Sequence, residues 1–133
     1  MWRFDQNTGH LYEPDGSMVA ICYSGGDGGK HPEGINNHEY QAVANVGPLP
    51  VGLYTFGTPI EHSHLGPLAI PLEPDQSNEM FGRSGFFCHG DTPAMNHSAS
   101  DGCIIAPHQI REDMWNSDDH TLHVYIDDVT QSV

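Results

Sequence analysis

Fixed positive charge is scarce in this chain of 133 residues. Its four lysines and arginines face 18 aspartates and glutamates, which gives a formal net charge of −14 at pH 7. A chain with this charge repels phosphate backbones and anionic lipid headgroups. We therefore expect neither nucleic acid nor a membrane surface among its partners.

Long apolar runs and export signals are also lacking. The segment Met1 to Gln6 contains no basic stretch followed by an apolar run. No later segment approaches the roughly 18 apolar residues that cross a bilayer. The sequence predicts a soluble chain without membrane insertion, made in the cytoplasm without a signal peptide.

Cysteines are few and unevenly numbered. Cys22, Cys88 and Cys103 cannot all pair within one chain, and none lies in a C-x-x-C arrangement. A disulfide framework is therefore not expected. A cysteine inside an apolar run is usually a small buried hydrophobic residue, which is our interpretation of Cys22 and Cys88.

Glycine and proline are abundant, with 15 and 10 residues. They separate short apolar or alternating runs, a pattern typical of strands, so we predict one mostly-β domain over residues 1–133. One short helix is expected after Pro107. The predicted strands are Trp2 to Phe4, Met18 to Tyr23, Leu53 to Phe56, Leu68 to Leu72, Gly85 to His89, Cys103 to Ala106 and Leu122 to Ile126.

Two glycine-containing segments lie between these runs. The polar segment Ser24 to Asn45 lacks the spacing of a phosphate-binding loop and is predicted to be a mobile surface loop. Gly47-Pro48-Leu49-Pro50 is predicted to be a proline-fixed turn that leads into a strand. Neither segment is expected to carry chemistry.

A histidine and a cysteine lie at the ends of two predicted strands. His89 ends one run, and Cys103 begins the run that follows the loop Ser100-Asp101-Gly102. If the two strands are neighbours, the imidazole and the thiol can meet. Side chains alternate along a strand, so Cys88 points opposite to His89. We therefore expect His89 at a site and Cys88 in the core.

The residues around Cys103 suit nucleophilic chemistry only with a partner. A cysteine attacks as a thiolate, and at an ordinary pKa of about 8.5 only a few per cent is ionised at pH 7. Asp91, Asp101 and the net charge of −14 disfavour the anion, so an imidazolium from His89 is the expected counter-ion. Gly102 would let the backbone approach a substrate carbonyl, and nearby amides would donate to an oxyanion.

Two other interpretations remain open from the residues. His89, Asp91, His97 and Cys103 together are a donor set that borderline metals accept, although their spacing matches no compact zinc motif. Alternatively, the cysteine and histidine are packed side chains of a domain that binds a cell wall or a partner without catalysis. Chelation and thiol alkylation distinguish these cases from the cysteine enzyme.

The ordered motifs resemble a known family. His89-Gly90 followed by Ser100-x-Gly102-Cys103 resembles the active-site signature of the L,D-transpeptidase catalytic domain, a cysteine enzyme of bacterial peptidoglycan. Nearly the whole chain is similar to a compact subgroup, the type VI secretion effectors of the L,D-transpeptidase-like kind. Further matching motifs include Thr8-Gly9, Tyr23-Ser24-Gly25, Gly47-Pro48-Leu49-Pro50, Gly66-Pro67, Gly82-Arg83-Ser84-Gly85 and Arg111.

This resemblance implies a fold and a set of roles. The fold is expected to be an L,D-transpeptidase-like β-sandwich, mostly β with one short helix. Cys103 matches the nucleophile and His89 the general base. Ser100 and Gly102 match the loop that shapes the site.

Two departures from the family concern the substrate. Cell-wall cross-linking members usually carry histidine at the position of Asp101, and arginine or asparagine at that of Ile105. With no cation beside the nucleophile, Arg83 and Arg111 are the candidates for binding the substrate carboxylate; the alternative is a surface charge or an internal ion pair. Gly90 and Asp91 complete the substrate-binding candidates.

The resemblance also implies an activity and a place of action. The expected reaction is L,D-carboxypeptidase cleavage or D-amino-acid exchange on tetrapeptide stems of peptidoglycan, without a cofactor. The expected partners are the stem peptide, a secretion apparatus and a cognate immunity protein. The chain would then act as an antibacterial toxin in the periplasm of a target cell.

Overall fold

Strands dominate the computed structural model, which describes residues 1–62, 66–90 and 102–126. The helix α1 spans His108–Asn116. The strands are β1 (Trp2–Asp5), β2 (His10–Tyr12), β3 (Met18–Ile21), β4 (Tyr23–Ser24), β5 (Gly52–Phe56), β6 (Ile60–His62), β7 (Gly66–Pro74), β8 (Phe87–His89), β9 (Ile104–Ile105) and β10 (Thr121–Tyr125).

The strands form one hydrogen-bonded path that is nearly barrel-like. Its order is β3-β2-β1-β10-β5-β7-β8-β9-β4, and β6 pairs with β7 outside this path. The pairs β1/β10 and β8/β9 are parallel. The predicted mostly-β class with one short helix is confirmed, and each predicted strand run overlaps an observed strand.

The core fills the space that the curved sheet encloses. Apolar side chains from distant strands share it, because alternation along each strand turns every second residue inward. Fully buried members include Phe4, Leu11, Ile70, Ile104 and Leu122. Met114 adds the buried side of α1. Cys88 and Ile104 belong to this core, which anchors β8 and β9 to it.

Two short strands were not predicted. In β2, only Leu11 is buried, and in β6 the register shifts between Ile60 and His62. Such short or irregular strands carry too few apolar positions for an alternating pattern to stand out. Sequence patterning therefore missed them.

The prediction of a mobile surface loop from Ser24 to Asn45 is wrong at its start and in its middle. Ser24 belongs to β4, and Gly25, Gly26 and Gly34 are buried. Three single-turn 3₁₀ helices follow, at Asp27–Gly29, Pro32–Gly34 and His38–Tyr40. The segment packs because its glycines lie against the backbone near Val46 and Gly47.

No helix in the described ranges is both long and apolar enough to cross a membrane.

Candidate active site

Strands β8 and β9 bring His89 and Cys103 close together. They are parallel neighbours in which Cys88 pairs with Ile104 and His89 with Ile105. Cys103 directly precedes β9, and its sulfur lies 3.3 Å from the backbone nitrogen of Phe87, two residues before His89 in β8. The thiol therefore lies beside the strand that carries the imidazole.

The sulfur of Cys103 receives a backbone hydrogen bond. The Phe87 N–H donates to Sγ across 3.3 Å. An N–H directed at sulfur stabilises the thiolate relative to the thiol, because it interacts more strongly with the charged form. Cys103 is 6% exposed, so this donor acts where water competes little. The expected imidazolium of His89 as the counter-ion of the thiolate stays a prediction.

The ring of His89 is oriented by the residue that follows it. Its Nδ1 lies 2.7 Å from the carbonyl oxygen of Gly90. A carbonyl only accepts, so Nδ1 carries the proton and Nε2 holds the lone pair in the neutral ring. The residue is fully buried. This tautomer leaves Nε2 as the nitrogen that can take a proton from a thiol.

The other two cysteines lie in the core. Cys88 is fully buried on the face opposite His89, as alternation predicted, and burial raises the pKa of its thiol well above the ordinary value. Burial also raises the pKa of Cys22 to about 12. Neither thiol is set up to ionise near neutral pH.

Gly102 lies directly before Cys103 and is held from two sides. Its φ of +114° lies in the region that favours glycine. The Ser24 hydroxyl donates to its carbonyl oxygen across 2.9 Å. On the other side, a Cβ at Gly102 would lie 2.3 Å from Nη2 of Arg83. The position therefore admits no side chain.

Arg83 uses its guanidinium inside the protein. Nη1 donates to the carbonyls of Gln41 and Pro48 at 2.6 and 2.8 Å, and Nη2 donates to Gly47 at 3.0 Å. The group is 7% exposed. These bonds give Arg83 a structural role, the binding of backbone carbonyls, which the sequence did not predict. A role in binding the substrate carboxylate stays a prediction.

Arg111 is also buried, but it retains a donor near His89. Nε donates to Ala106, and Nη1 donates to Pro67 and Leu68. Burial lowers the pKa of the guanidinium from its usual value. A Cβ at Gly90 would lie 2.7 Å from Nη2. Among the described residues, this Nη2 bonds no acceptor.

A cleft of about 320 Å³ opens next to Gly90. Its lining includes Ile21, Tyr23, Gly90, Ile105, Pro107 and His108. Tyr23 pairs with Ile105 across β4 and β9, and Ile105 pairs with His89, so their side chains share one face. The cleft thus adjoins the face that carries His89.

Some predicted site residues lie outside the described residues. Ser100 and Asp91, and also His97 and Asp101, fall within 91–101. Their predicted roles in shaping the loop, binding substrate or holding a metal stay predictions. Within 1–62, 66–90 and 102–126, no three His, Cys, Asp or Glu side chains are grouped so that they can hold a metal ion.

The site also contains contributions that the sequence analysis missed. These are the Ser24 hydroxyl, the Phe87 amide and the segment Gly47 to Leu49. The carbonyls of this segment accept hydrogen bonds from Arg83, and its Leu49 N–H donates to Ser24. The only sequence signal was a serine between an apolar run and two glycines. Backbone groups leave no signal, because every residue has them.

Comparison with known proteins identifies the family. The family model described as the Tlde1 domain matches residues 20–127, which is most of the chain. The chain belongs to the Tlde1 domain family. This confirms the resemblance to type VI effectors of the L,D-transpeptidase-like kind. Membership in the Tlde1 domain family supports a peptidoglycan-related, enzyme-like effector.

The NMR structure of the catalytic domain of an E. faecium L,D-transpeptidase aligns with a TM-score of 0.47 and 15% identity. The alignment covers 93% of this chain and 95% of that one. No curated protein matches the sequence.

Proposed function

We propose that this protein is a cysteine enzyme that cleaves, or exchanges, the terminal D-alanine of peptidoglycan tetrapeptide stems. The observation that supports this most is the parallel pairing of β8, which ends at His89, with β9, which begins directly after Cys103. The Phe87 amide at the sulfur adds to it. Family membership supplies the substrate class.

In the proposed first step, Nε2 of His89 takes the thiol proton and Sγ of Cys103 attacks the carbonyl that joins the diamino acid to D-alanine. The carbonyl electron pair moves to oxygen. When the C=O bond re-forms, the C–N bond breaks, and D-alanine leaves with the proton returned by His89. The product is a thioester on Cys103.

In the proposed second step, an acceptor resolves the thioester. Water gives a shortened stem, which is the L,D-carboxypeptidase outcome, whereas the amine of another D-amino acid gives an exchanged stem. In both cases His89 takes the acceptor's proton and returns it to the departing sulfur. Either product would deprive cross-linking of its normal stems.

For the substrate carboxylate, we favour Arg111 over Arg83. The Nη2 of Arg111 lies at Gly90, next to the base, and has no acceptor among the described residues, whereas both terminal nitrogens of Arg83 bond backbone carbonyls. A guanidinium–carboxylate contact at close range would offset the repulsion that a charge of −14 exerts on anions.

The test is mass analysis of stem peptides after incubation with the purified protein. Wild type should release D-alanine from tetrapeptide stems, and Cys103→Ala should release none while keeping its fold. Cys88→Ala is the matched control, because it removes a neighbouring buried thiol on the opposite face. Turnover by Cys103→Ala would overturn the mechanism. A protein that binds wall fragments without changing their mass would be a non-catalytic module.

We further propose that the enzyme acts as an antibacterial toxin in the periplasm of a target cell, after delivery by a type VI secretion apparatus, and that an immunity protein protects the producer. Expression in the cytoplasm of a test bacterium should be tolerated. Fusion to an export signal should inhibit growth, and Cys103→Ala should abolish the inhibition. Equal toxicity from both compartments would argue for another target.

A further inference from the structure

The hydroxyl of Ser24 lies at the junction between the core and the candidate nucleophile. Ser24 ends β4, and its side chain is fully buried. Oγ accepts a hydrogen bond from the Leu49 N–H at 2.8 Å. The hydroxyl proton is therefore directed at its other partner, the carbonyl oxygen of Gly102 at 2.9 Å. Both bonds are buried, where water does not replace them.

This contact acts on the peptide group that carries Cys103. The Gly102 carbonyl and the Cys103 N–H belong to one planar unit. Holding the oxygen therefore fixes the plane, the position of the Cys103 Cα and the direction of its N–H. Ordinary strand pairing does not reach this peptide, because β9 begins only at Ile104.

Arg83 completes the support from the opposite side. Its Nη2 packs against the Cα of Gly102, and the same guanidinium bonds the carbonyls of Gly47 and Pro48. The Leu49 N–H that holds Ser24 follows directly in sequence. One backbone segment thus anchors both supports of Gly102.

We propose that Ser24 is a positioning residue for Cys103, whose hydroxyl sets the plane of the Gly102–Cys103 peptide and so the geometry of thiol attack. This rests on the proposed function, since Cys103 must be the nucleophile. In this proposal the hydroxyl acts on Cys103 through the Gly102 carbonyl. Its effect is on the rate of the chemical step and not on binding.

The kinetic test compares Ser24→Ala with wild type on a defined tetrapeptide stem. A displacement of about 1 Å at a reacting atom can cost 10²-fold in rate, so we expect kcat to fall by about 10- to 100-fold. KM should change by less than about twofold, because uniform substrate binding is untouched. The kcat of Ser24→Cys, whose S–H is a weak donor, should lie between those of wild type and Ser24→Ala. This variant replaces Ser24→Ala in the test if Ser24→Ala does not fold.

Asn36→Gly is the matched control. The Asn36 side chain accepts from the Ser24 N–H at 2.9 Å, so it supports the same strand without touching Gly102. Its φ of +49° is one that glycine tolerates. This variant should lower the unfolding temperature yet keep kcat when assayed well below that temperature. Equal losses of kcat in Ser24→Ala and Asn36→Gly would overturn the proposal.

A second readout needs no substrate and separates this proposal from the proposed function. In ¹H–¹⁵N spectra, loss of the bond to the Gly102 carbonyl should shift the Cys103 amide strongly in Ser24→Ala and little in Asn36→Gly. An unmoved Cys103 amide in Ser24→Ala would refute the positioning role. A shifted amide in a protein that leaves stems intact would support the positioning role and refute the proposed reaction.

Discussion

Arg83 lies so close to Gly102 that a single added carbon would collide with it. A Cβ at Gly102 would lie 2.3 Å from Nη2 of Arg83 and 2.8 Å from a ring carbon of Phe86. The arginine cannot withdraw freely, since Gln41, Gly47 and Pro48 hold it through their carbonyls. The residue before Cys103 is therefore fixed by sterics as well as by hydrogen bonds.

Gly102→Ala should therefore damage both stability and turnover. Left-handed backbone costs about 1–2 kcal/mol for a non-glycine residue, and overpacking about 1–3 kcal/mol, so we expect the free energy of unfolding to fall by about 2–5 kcal/mol. Urea denaturation measures this, and D-alanine release measures activity. Gly85→Ala is the control, because Gly85 has a φ of +78° and nothing within 4 Å of a Cβ. Equal losses in both variants would contradict the steric argument.

His89 and Cys103 should behave as one unit. His89→Ala and Cys103→Ala should each reduce D-alanine release to background, and the double variant should be no slower, because losses within a catalytic pair are not additive. His10→Ala, which removes a histidine from β2, should retain activity. A double variant much slower than both single variants would show that the two residues act independently.

Substitutions of the two buried arginines should differ in their effect on KM. Arg83→Lys and Arg111→Lys both remove charged donors from buried carbonyls, at about 1.5–3 kcal/mol for each bond lost, so both should lower the unfolding temperature. Only Arg111→Lys should also raise KM for tetrapeptide stems, because its Nη2 lies beside Gly90. Steady-state kinetics at a temperature where both variants are folded decides this. An unchanged KM in Arg111→Lys would move the carboxylate site elsewhere.

Stability should fall at alkaline pH. Burial raises the pKa of Cys22 to about 12 and raises those of Cys88 and Tyr54 as well. The folded state then keeps protons that the unfolded chain releases. This contribution is fully present below pH of about 8.5 and is lost as the pH rises towards the folded value, at up to about 1.4 kcal/mol per pH unit for each group.

Urea unfolding between pH 8 and pH 10.5 measures this slope. Cys22→Ala should reduce the slope of the free energy of unfolding against pH by the contribution of one thiol, whatever its effect on stability at pH 7. The slope of Cys103→Ala provides a comparison for the thiol at the candidate site. A slope identical in wild type and Cys22→Ala would show that the Cys22 thiol titrates normally in the folded protein.

Much of this fold could be predicted because apolar and polar residues alternate regularly in several of its strands. Leu53 to Phe56 and Leu122 to Ile126 each lie within one residue of an observed strand. The opposite orientations of Cys88 and His89 followed from the same rule, and their strand does lie beside the one that follows Cys103. Alternation is a property of a few consecutive residues, which a sequence displays directly.

The hydrogen bonds that hold the candidate site could not be predicted from strand alternation. Ser24 meets Gly102, and Arg83 meets Gly47, only because the chain brings distant segments together. Such hydrogen bonds have no period and no fixed spacing in sequence. For the same reason Gly47-Pro48-Leu49-Pro50, predicted to be a simple turn, also serves as an anchor.

The segment Gly47 to Leu49, which holds both Ser24 and Arg83, bears on the order in which the site forms during synthesis of the chain. Ser24 and Gly47 to Leu49 leave the ribosome before Arg83, and Cys103 follows later still. Chains emerge from their N-terminus, so the groups that hold Gly102 can be in place before Cys103 is synthesised. Because Arg111 and β10 come last, a nascent chain that stops short of α1 carries the thiol without its full surroundings. The candidate site is therefore complete only after α1 and β10 have been synthesised.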